Sequence, residues 1–326
     1  MAIDRFGRLI HYLRISLTDH CNLRCIYCMP EDISFRPNAE LMQDGEIIRL
    51  VNVFARLGFD KFRLTGGEPT VRSGIVELVR QMHQIPGVRA LSMTTNGVLF
   101  SRLAEPLAQA GLQRVNFSLD TLDPARFRQL TRRGSILDVW GGIQAAEAAG
   151  LLPIKVNTVV ARGYSDDEIV GMARLTLDHA WQVRFIELMP FAGATEFQLS
   201  QVVSADEMVA RIEAALGPLM PVNDGQLDGE ARIFRLAGSL GTIGFINTIT
   251  QPFCASCTRA RLTADGRLRL CLLCEDEVNL LTPMRSGVTD SELRQLIVDG
   301  IWRKPWGNRL HEGQIPLNRI MSEIGG

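Results

Sequence analysis

Leu13–Pro30, LRISLTDHCNLRCIYCMP, is the stretch that decides how this chain is read. Over Tyr12–Thr18 the apolar residues Leu13, Ile15 and Leu17 alternate with polar ones, the period of a β-strand. Cys21, Cys25 and Cys28 then follow at C-x3-C-x2-C spacing on one short loop. Three thiolates held that tightly suit three corners of a 4Fe–4S cube and leave the fourth iron open to a small molecule. A structural zinc would need a fourth ligand nearby. His20 is the one available, but as the chain neighbour of Cys21 it is awkwardly placed to share a single ion with it.

Working outward, the strand-then-loop unit repeats. Lys61–Thr65, Ala90–Thr95, Arg114–Leu119, Ile154–Val160 and Val183–Leu188 read as further strands. Gly45–Leu57, Ile75–His83 and Asp166–His179 carry apolar residues at helical spacing between them. Repeated βα units imply a parallel sheet with right-handed crossovers. Six such units fall short of a closed eight-fold barrel, so the expectation is an open, partial TIM-like β/α barrel. Its chemistry would sit on loops at the C-terminal ends of the strands, where both Cys21–Cys28 and Thr65–Pro69 fall. In Thr65-Gly-Gly-Glu-Pro69 the glycines allow close backbone approach to a ligand, and Glu68 is a candidate partner for an ammonium. Thr94–Gly97 and Ser118–Asp120 close later strands, where turn or cap chemistry is the commoner explanation. After Phe191 the rhythm changes to a helix at Ala205–Leu216 and β-like pieces at Ala231–Leu236 and Thr242–Ile246. The expected division is a barrel over 1–195 and a smaller C-terminal α+β domain over 196–326.

A second thiol set lies in that C-terminal part: Cys254, Cys257 and Cys271, with Cys274 extending it to C-x2-C-x13-C-x2-C. All seven cysteines fall in these two groups, which points to two metal sites rather than disulfides. The enclosed segment CTRARLTADGRLRLC alternates like a hairpin about Asp265–Gly266, placing Arg259 and Arg261 on one face. Two guanidinium forks beside a metal site suit a phosphate or carboxylate, although arginines on a strand face are often merely solvated. The formal charge of the 326 residues is −1, so no global field draws the chain to nucleic acid or an anionic membrane. No apolar run is long enough to span a bilayer, and the start, MAIDRFGRLIHYLR, lacks a signal-peptide core. The expected location is the cytoplasm.

The first cysteine motif resembles the signature of the radical S-adenosylmethionine superfamily. With LRISLTDHCNLRCIYCMP, KFRLTGGEPTVR, MTTNG, VNFSLD, KVNTVV, RFIELMP, FCASCTRARLTADG and the terminal IGG in order, the whole chain is similar to the GTP 3′,8-cyclase family of molybdenum cofactor biosynthesis. That resemblance implies a lyase-type enzyme with two 4Fe–4S clusters and S-adenosylmethionine, converting GTP to 3′,8-cyclo-7,8-dihydro-GTP. It implies that Cys21, Cys25 and Cys28 hold the cofactor cluster, and that Tyr27, Gly67, Ser118 and Met189 contact S-adenosylmethionine. Arg14, Arg63, Thr94, Lys155, Arg259, Ala260 and Arg261 would contact GTP, Arg259 and Arg261 counting also among the catalytic set. Cys254, Cys257 and Cys271 would hold the second cluster, whose open iron binds guanine, and the Gly325–Gly326 tail would enter the site. A reductant such as flavodoxin or ferredoxin, a downstream cyclic pyranopterin phosphate synthase and a monomeric or homodimeric state are further implications. The family usually has a small non-cysteine residue where Cys274 stands. A fourth thiolate there would close the site, and it keeps open a zinc- or cluster-bound regulatory or nucleic-acid-binding relative. Another radical enzyme with an auxiliary cluster, acting on a peptide or sugar, is the remaining alternative.

Overall fold

In the computed structural model, which describes residues 2–191, 197, 199–308, 310 and 315–325, the alternation of Tyr12–Thr18 becomes strand β1 (Tyr12–Ser16). Leu13 and Ile15 are wholly buried on one face. Strands β2 (Lys61–Thr65), β3 (Ala90–Thr95), β4 (Arg114–Ser118), β5 (Lys155–Val160) and β6 (Gln182–Glu187) follow, each within a residue or two of its expected limits. Between them run α1 (Asp44–Arg56), α2 (Ile75–His83), α3 (Ala104–Gln109), α4 (Pro124–Thr131), α5 (Ile136–Ala148) and α6 (Ile169–Asp178). Polar residues set the helix starts: the Asp123 carboxylate accepts from Arg126 N at 2.7 Å, and Ser135 Oγ accepts from Leu137 N at 3.2 Å. Caps of this kind are worth about 1 kcal/mol each.

The remaining elements are α7 (Ala205–Leu216), β7 (Leu219–Pro221), β8 (Leu227–Asp228), β9 (Ala231–Leu236), β10 (Thr242–Ile246), β11 (Arg259–Leu262), β12 (Arg267–Arg269) and β13 (Glu277–Asn279), then α8 (Leu281–Arg285), α9 (Asp290–Trp302) and α10 (Met321–Ile324). Their strands do not build a sheet of their own. β11 pairs in parallel with β1, and β10 in parallel with β6, so β11-β1-β2-β3-β4-β5-β6-β10 is one parallel run. Antiparallel strands extend it at both edges, β12 and β13 beyond β11, and β9 and β7 beyond β10. The fold is thus the expected partial barrel of six βα units, widened on each side by C-terminal strands. The expected boundary at 195 lies outside the described residues.

Strand parity explains the interior. Leu13, Ile15, Phe62, Leu64, Leu91, Met93, Val115, Phe117, Val156, Val183 and Phe185 join the main hydrophobic core. The alternate positions are polar, and the register sets them side by side. Arg14 lies beside Arg63 and Arg261, Thr94 beside Asn116, Asn116 beside Lys155, and Asn157 beside Arg184. An inner face of cations and amides cannot pack as a dry core, because buried polar groups need partners. It makes a ligand chamber instead.

Candidate active site

β1 delivers the first cysteine group. Beyond Ser16 the chain turns through Thr18–His20, and the turn is locked by the strand next door. Gly66 adopts φ 142°, and a Cβ at Gly67 would overlap the carbonyl oxygens of His20 and Asp19. Close approach of these two backbones is what the glycines of Thr65–Pro69 provide. Glu68 lines the cavity and is also held by its own neighbours. Its buried carboxylate accepts from Thr70 N (3.0 Å), Thr70 Oγ1 (2.6 Å), Thr95 Oγ1 (2.7 Å) and Asn96 N (2.7 Å). It ties the loops after β2 and β3 together, three of these bonds falling on Oε1 and one on Oε2. Leu23 N donates to Cys21 Sγ at 3.3 Å, and Cys25 O accepts from Cys28 N at 2.9 Å. Burial pushes the Cys21 thiol up to about 11 and the Cys28 thiol up to about 12, and raises Cys25 well above its ordinary value. Without iron the three are neutral thiols, so loading a cluster releases protons. Tyr27 has its hydroxyl fixed on Asp120 Oδ2 at 2.7 Å, and burial lifts the Asp120 carboxyl to about 6.

The second group sits at the other end of the strands. Cys257 precedes Arg259, which registers with Tyr12 at the start of β1, whereas Cys21 lies past its end. β12 runs antiparallel to β11 and returns Cys271 to the same end as Cys257. Five residues of β1 put roughly 17 Å between the two ends. Arg8 braces this region, donating to Cys254 O (2.6 Å), Trp306 O (2.7 Å) and Pro305 O (2.6 Å). Lys304, also buried, donates to Leu270 O beside the thiols. Burial would raise the Cys257 thiol, but Lys304 and Arg259 outweigh it and hold it below its usual value. Among the described residues no group of three or more His, Cys, Asp or Glu is arranged to hold a single metal ion.

One cavity of about 260 Å³ joins the two groups. Cys21, Cys25, Cys28, Cys254, Cys257 and Cys271 line it; Cys274 does not. Cys274 Sγ donates to Gly307 O at 3.5 Å and is also in side-chain hydrogen-bond contact with Cys271. Tyr27, Gly67, Ser118, Met189, Thr94, Arg14, Arg259 and Arg261 also line the wall, as do Asp120, Asn116, Asn157, Lys304 and Glu230. Arg63 and Lys155 belong to the same inner face but stand back from the wall. Arg63 donates to the Tyr12 hydroxyl and, at 3.4 Å, to Thr94 Oγ1, while Lys155 pairs with Asp228 at 3.6 Å. Ala260 points its methyl into the main core, leaving only its peptide groups for any ligand. Among the described residues Arg14 Nε, Arg261 Nε, Asn116 Oδ1 and Asn157 Oδ1 are buried without a hydrogen-bond partner, so the wall retains polar capacity for a ligand. Burial, with Arg14 and Arg259 close by, pushes Arg261 down to about 9. The tail reaches this cavity as well. Gly325 is buried at φ 79°, and a Cβ there would overlap Thr65 Oγ1; Gly326 lies outside the described residues. Arg184, Tyr12, Lys304, Asp228 and Glu230 were not singled out from sequence. Parity in RFIELMP could have found Arg184, since it follows the same inward alternation as Lys155 and Asn157. The acids of the β8–β9 turn look like any solvated loop.

The thiol sets fit iron–sulfur clusters by donor chemistry, and the Thr65–Glu68 loop beside the first lines the cavity with them. The comparisons agree with this arrangement. A sequence model of the Radical SAM superfamily matches residues 15–176, and one described as Molybdenum Cofactor Synthesis C matches residues 181–310. The S-adenosylmethionine-bound structure of SuiB from Streptococcus suis has a TM-score of 0.60, covering 90% of this chain and 68% of that one at 15% identity, a likeness of fold. A GTP 3′,8-cyclase of Pelotomaculum thermopropionicum is 45% identical over 324 residues, 99% of each chain. One of Heliobacterium modesticaldum is 46% identical over 329 residues, 99% of this chain and 100% of its own. Similarity of this order runs from end to end, through both cysteine groups and the strands that carry the cations: the chain belongs to the GTP 3′,8-cyclase family.

Proposed function

We propose that this chain converts GTP to 3′,8-cyclo-7,8-dihydro-GTP, the opening step of molybdenum cofactor biosynthesis, by radical chemistry. The observation that carries the reading is a single cavity lined by two cysteine triads with a set of inward-facing cations on the strands between their ends. Cys21, Cys25 and Cys28 hold one 4Fe–4S cluster, and Cys254, Cys257 and Cys271 hold the other. When bound, the first cluster and S-adenosylmethionine would supply the radical chemistry that removes the ribose C3′ hydrogen and joins C3′ to guanine C8, one further electron from the external reductant and a proton completing the 7,8-dihydro product. The protein's part is to bind, orient and shield. Gly67 lines the side where the cofactor would lie, Tyr27 is pinned by Asp120, and Ser118 and Met189 complete that side. Arg14, Arg63, Lys155, Arg259 and Arg261 meet the phosphates, with Thr94 and the Ala260 peptide nearby. Holding the nucleotide at both ends fixes C3′ against the radical source. A peptide substrate would have no use for so many cations in one chamber.

Residues 1–195 then act as the radical-generating barrel and 196–326 as the substrate and second-cluster part. A flavodoxin or ferredoxin supplies electrons, and a cyclic pyranopterin phosphate synthase takes the product. Among the described residues no helix is long and apolar enough to cross a membrane. We place the protein in the cytoplasm as a monomer or homodimer. Cys25→Ala tests the assignment of the first triad. The variant should assemble the second cluster yet form no 5′-deoxyadenosine from S-adenosylmethionine and reductant; normal formation contradicts it.

A further inference from the structure

Three of the cations read as phosphate ligands, Arg14, Lys155 and Arg259, already have anionic partners, and both partners come from one turn. β8 and β9 form a tight hairpin in which Asp228 registers with Ala231, leaving Gly229, at φ 67°, and Glu230 as its tip. Glu230 reaches the cavity wall and bridges two strands, with Arg14 Nη2 at 2.7 Å on β1 and Arg259 Nη1 at 3.4 Å on β11. Asp228 takes the other side, 3.6 Å from Lys155 Nζ on β5 and 3.5 Å from Arg184 Nη2 on β6. Two carboxylates spaced two residues apart thus divide four cations from four different barrel strands between them.

The two pairs differ in exposure. The Glu230 side chain is 13% exposed and that of Asp228 51%. Burial alone would raise the Glu230 carboxyl, but Arg14, Arg259, Arg184 and Arg63 hold it well below the usual carboxylate range. The group is therefore a firm anion at any physiological pH. Its support is light. β8 has two residues, both exposed, and pairs only with β9, off the main path of the sheet. A carboxylate on an arginine fork has the hydrogen-bond pattern of a phosphate on the same fork.

We propose that the β8–β9 turn is an internal anion occupying the phosphate subsite of the unliganded protein, displaced by the substrate's polyphosphate, so that Asp228 and Glu230 set substrate affinity. The inference rests on the reading of the cavity as a nucleotide site. With the turn in place, four cations less two carboxylates leave two positive charges. With it withdrawn all four lose their carboxylate partners and are free to meet a polyanion. A ligand touching one pair of cations gains little from evicting both acids, whereas a triphosphate long enough to engage both pairs is repaid on each side.

The test measures binding of GTP and of inorganic tripolyphosphate to reconstituted protein, anaerobically and without reductant, for wild type, Glu230→Gln and Asp228→Asn. Removing the buried competitor should tighten both ligands in Glu230→Gln by at least roughly tenfold. The exposed Asp228→Asn change should tighten them by about two- to threefold. In wild type, amide hydrogen exchange over 227–230 should quicken when tripolyphosphate is added. Unchanged binding in both variants overturns the proposal while leaving the nucleotide reading intact. Weaker GTP binding in Glu230→Gln with tripolyphosphate unaffected also overturns it, making Glu230 a contact to the base or sugar. Exchange that slows on adding ligand overturns it too, since the turn would then be closing over the phosphates. Binding of neither ligand by any of the three proteins overturns the nucleotide reading and this inference with it.

Discussion

Lys155 gives the site a pH dependence. Burial, then repulsion from Arg184, brings its ammonium down to about 8, with Asp228 and Glu230 opposing and Arg63 adding to the fall. Below that value the group is charged and meets an anion; above it the group is neutral. GTP affinity should therefore fall as pH rises through about 8, and Lys155→Arg should move the fall to higher pH, because a guanidinium stays protonated. Titrating GTP at several pH values checks this, and identical profiles for the two proteins would contradict it. Cys274 is the residue where sequence left two readings open. The zinc-like spacing made it a possible fourth ligand; its thiol donates to Gly307 O at 3.5 Å and also lies within hydrogen-bond reach of the Cys271 thiol, so both readings stay open to test. Gly307 in turn lies close to Cys254, an added Cβ coming within 3.1 Å of its sulfur. Cys274→Ala should retain the wild-type iron content and the GTP-induced change in the second cluster's magnetic resonance spectrum. A variant that gains such a change, where wild type shows none, would make Cys274 a ligand. Spacing alone could not decide this, since C-x2-C fixes only how near two thiols are along the chain.

The elements divide into those with local signatures and those without. The six βα units were legible because their strands are short apolar runs and their helices amphipathic. β10 and β11 were not legible as parallel strands, because their partners β6 and β1 are remote in sequence and nothing local announces the pairing. The hairpin of β11 and β12 was visible from its alternation, yet its place beside β1, which sets Arg261 next to Arg14, was not. α10 shows the same limit. Composition alone makes any terminal Gly-Gly a frayed end, and only the family resemblance put this one in the site. In the fold, Glu323 accepts from Arg36 at 2.8 Å, and Arg319 pairs with Asp265 and Glu277, each at 2.9 Å, so the tail is tied down just ahead of Gly325. Gly325→Ala would press a methyl onto Thr65 Oγ1 and place it at φ 79°, a conformation that costs a non-glycine residue about 1–3 kcal/mol. The variant should keep both clusters and its GTP affinity and lose most turnover, read by comparing equilibrium binding with product formation. Full turnover would mean the tail has no part in the reaction.

At the scale of the molecule, one alternation organises the chemistry. The same period-two pattern that buries Leu13 and Ile15 turns Arg14 inward, and repeating it around the sheet yields an apolar shell and a polar chamber. Parallel strands then fix the two cysteine groups at opposite ends of that chamber, one before β11 and one after β1. The central claim is that the chamber holds one GTP between two clusters, with C3′ facing the radical source and guanine at the second cluster. The direct measurement uses GTP deuterated at ribose C3′, incubated anaerobically with reconstituted protein, S-adenosylmethionine and a reductant. The account predicts deuterium in 5′-deoxyadenosine and a nucleotide product closed between C3′ and C8. Unlabelled 5′-deoxyadenosine with GTP recovered intact would contradict it.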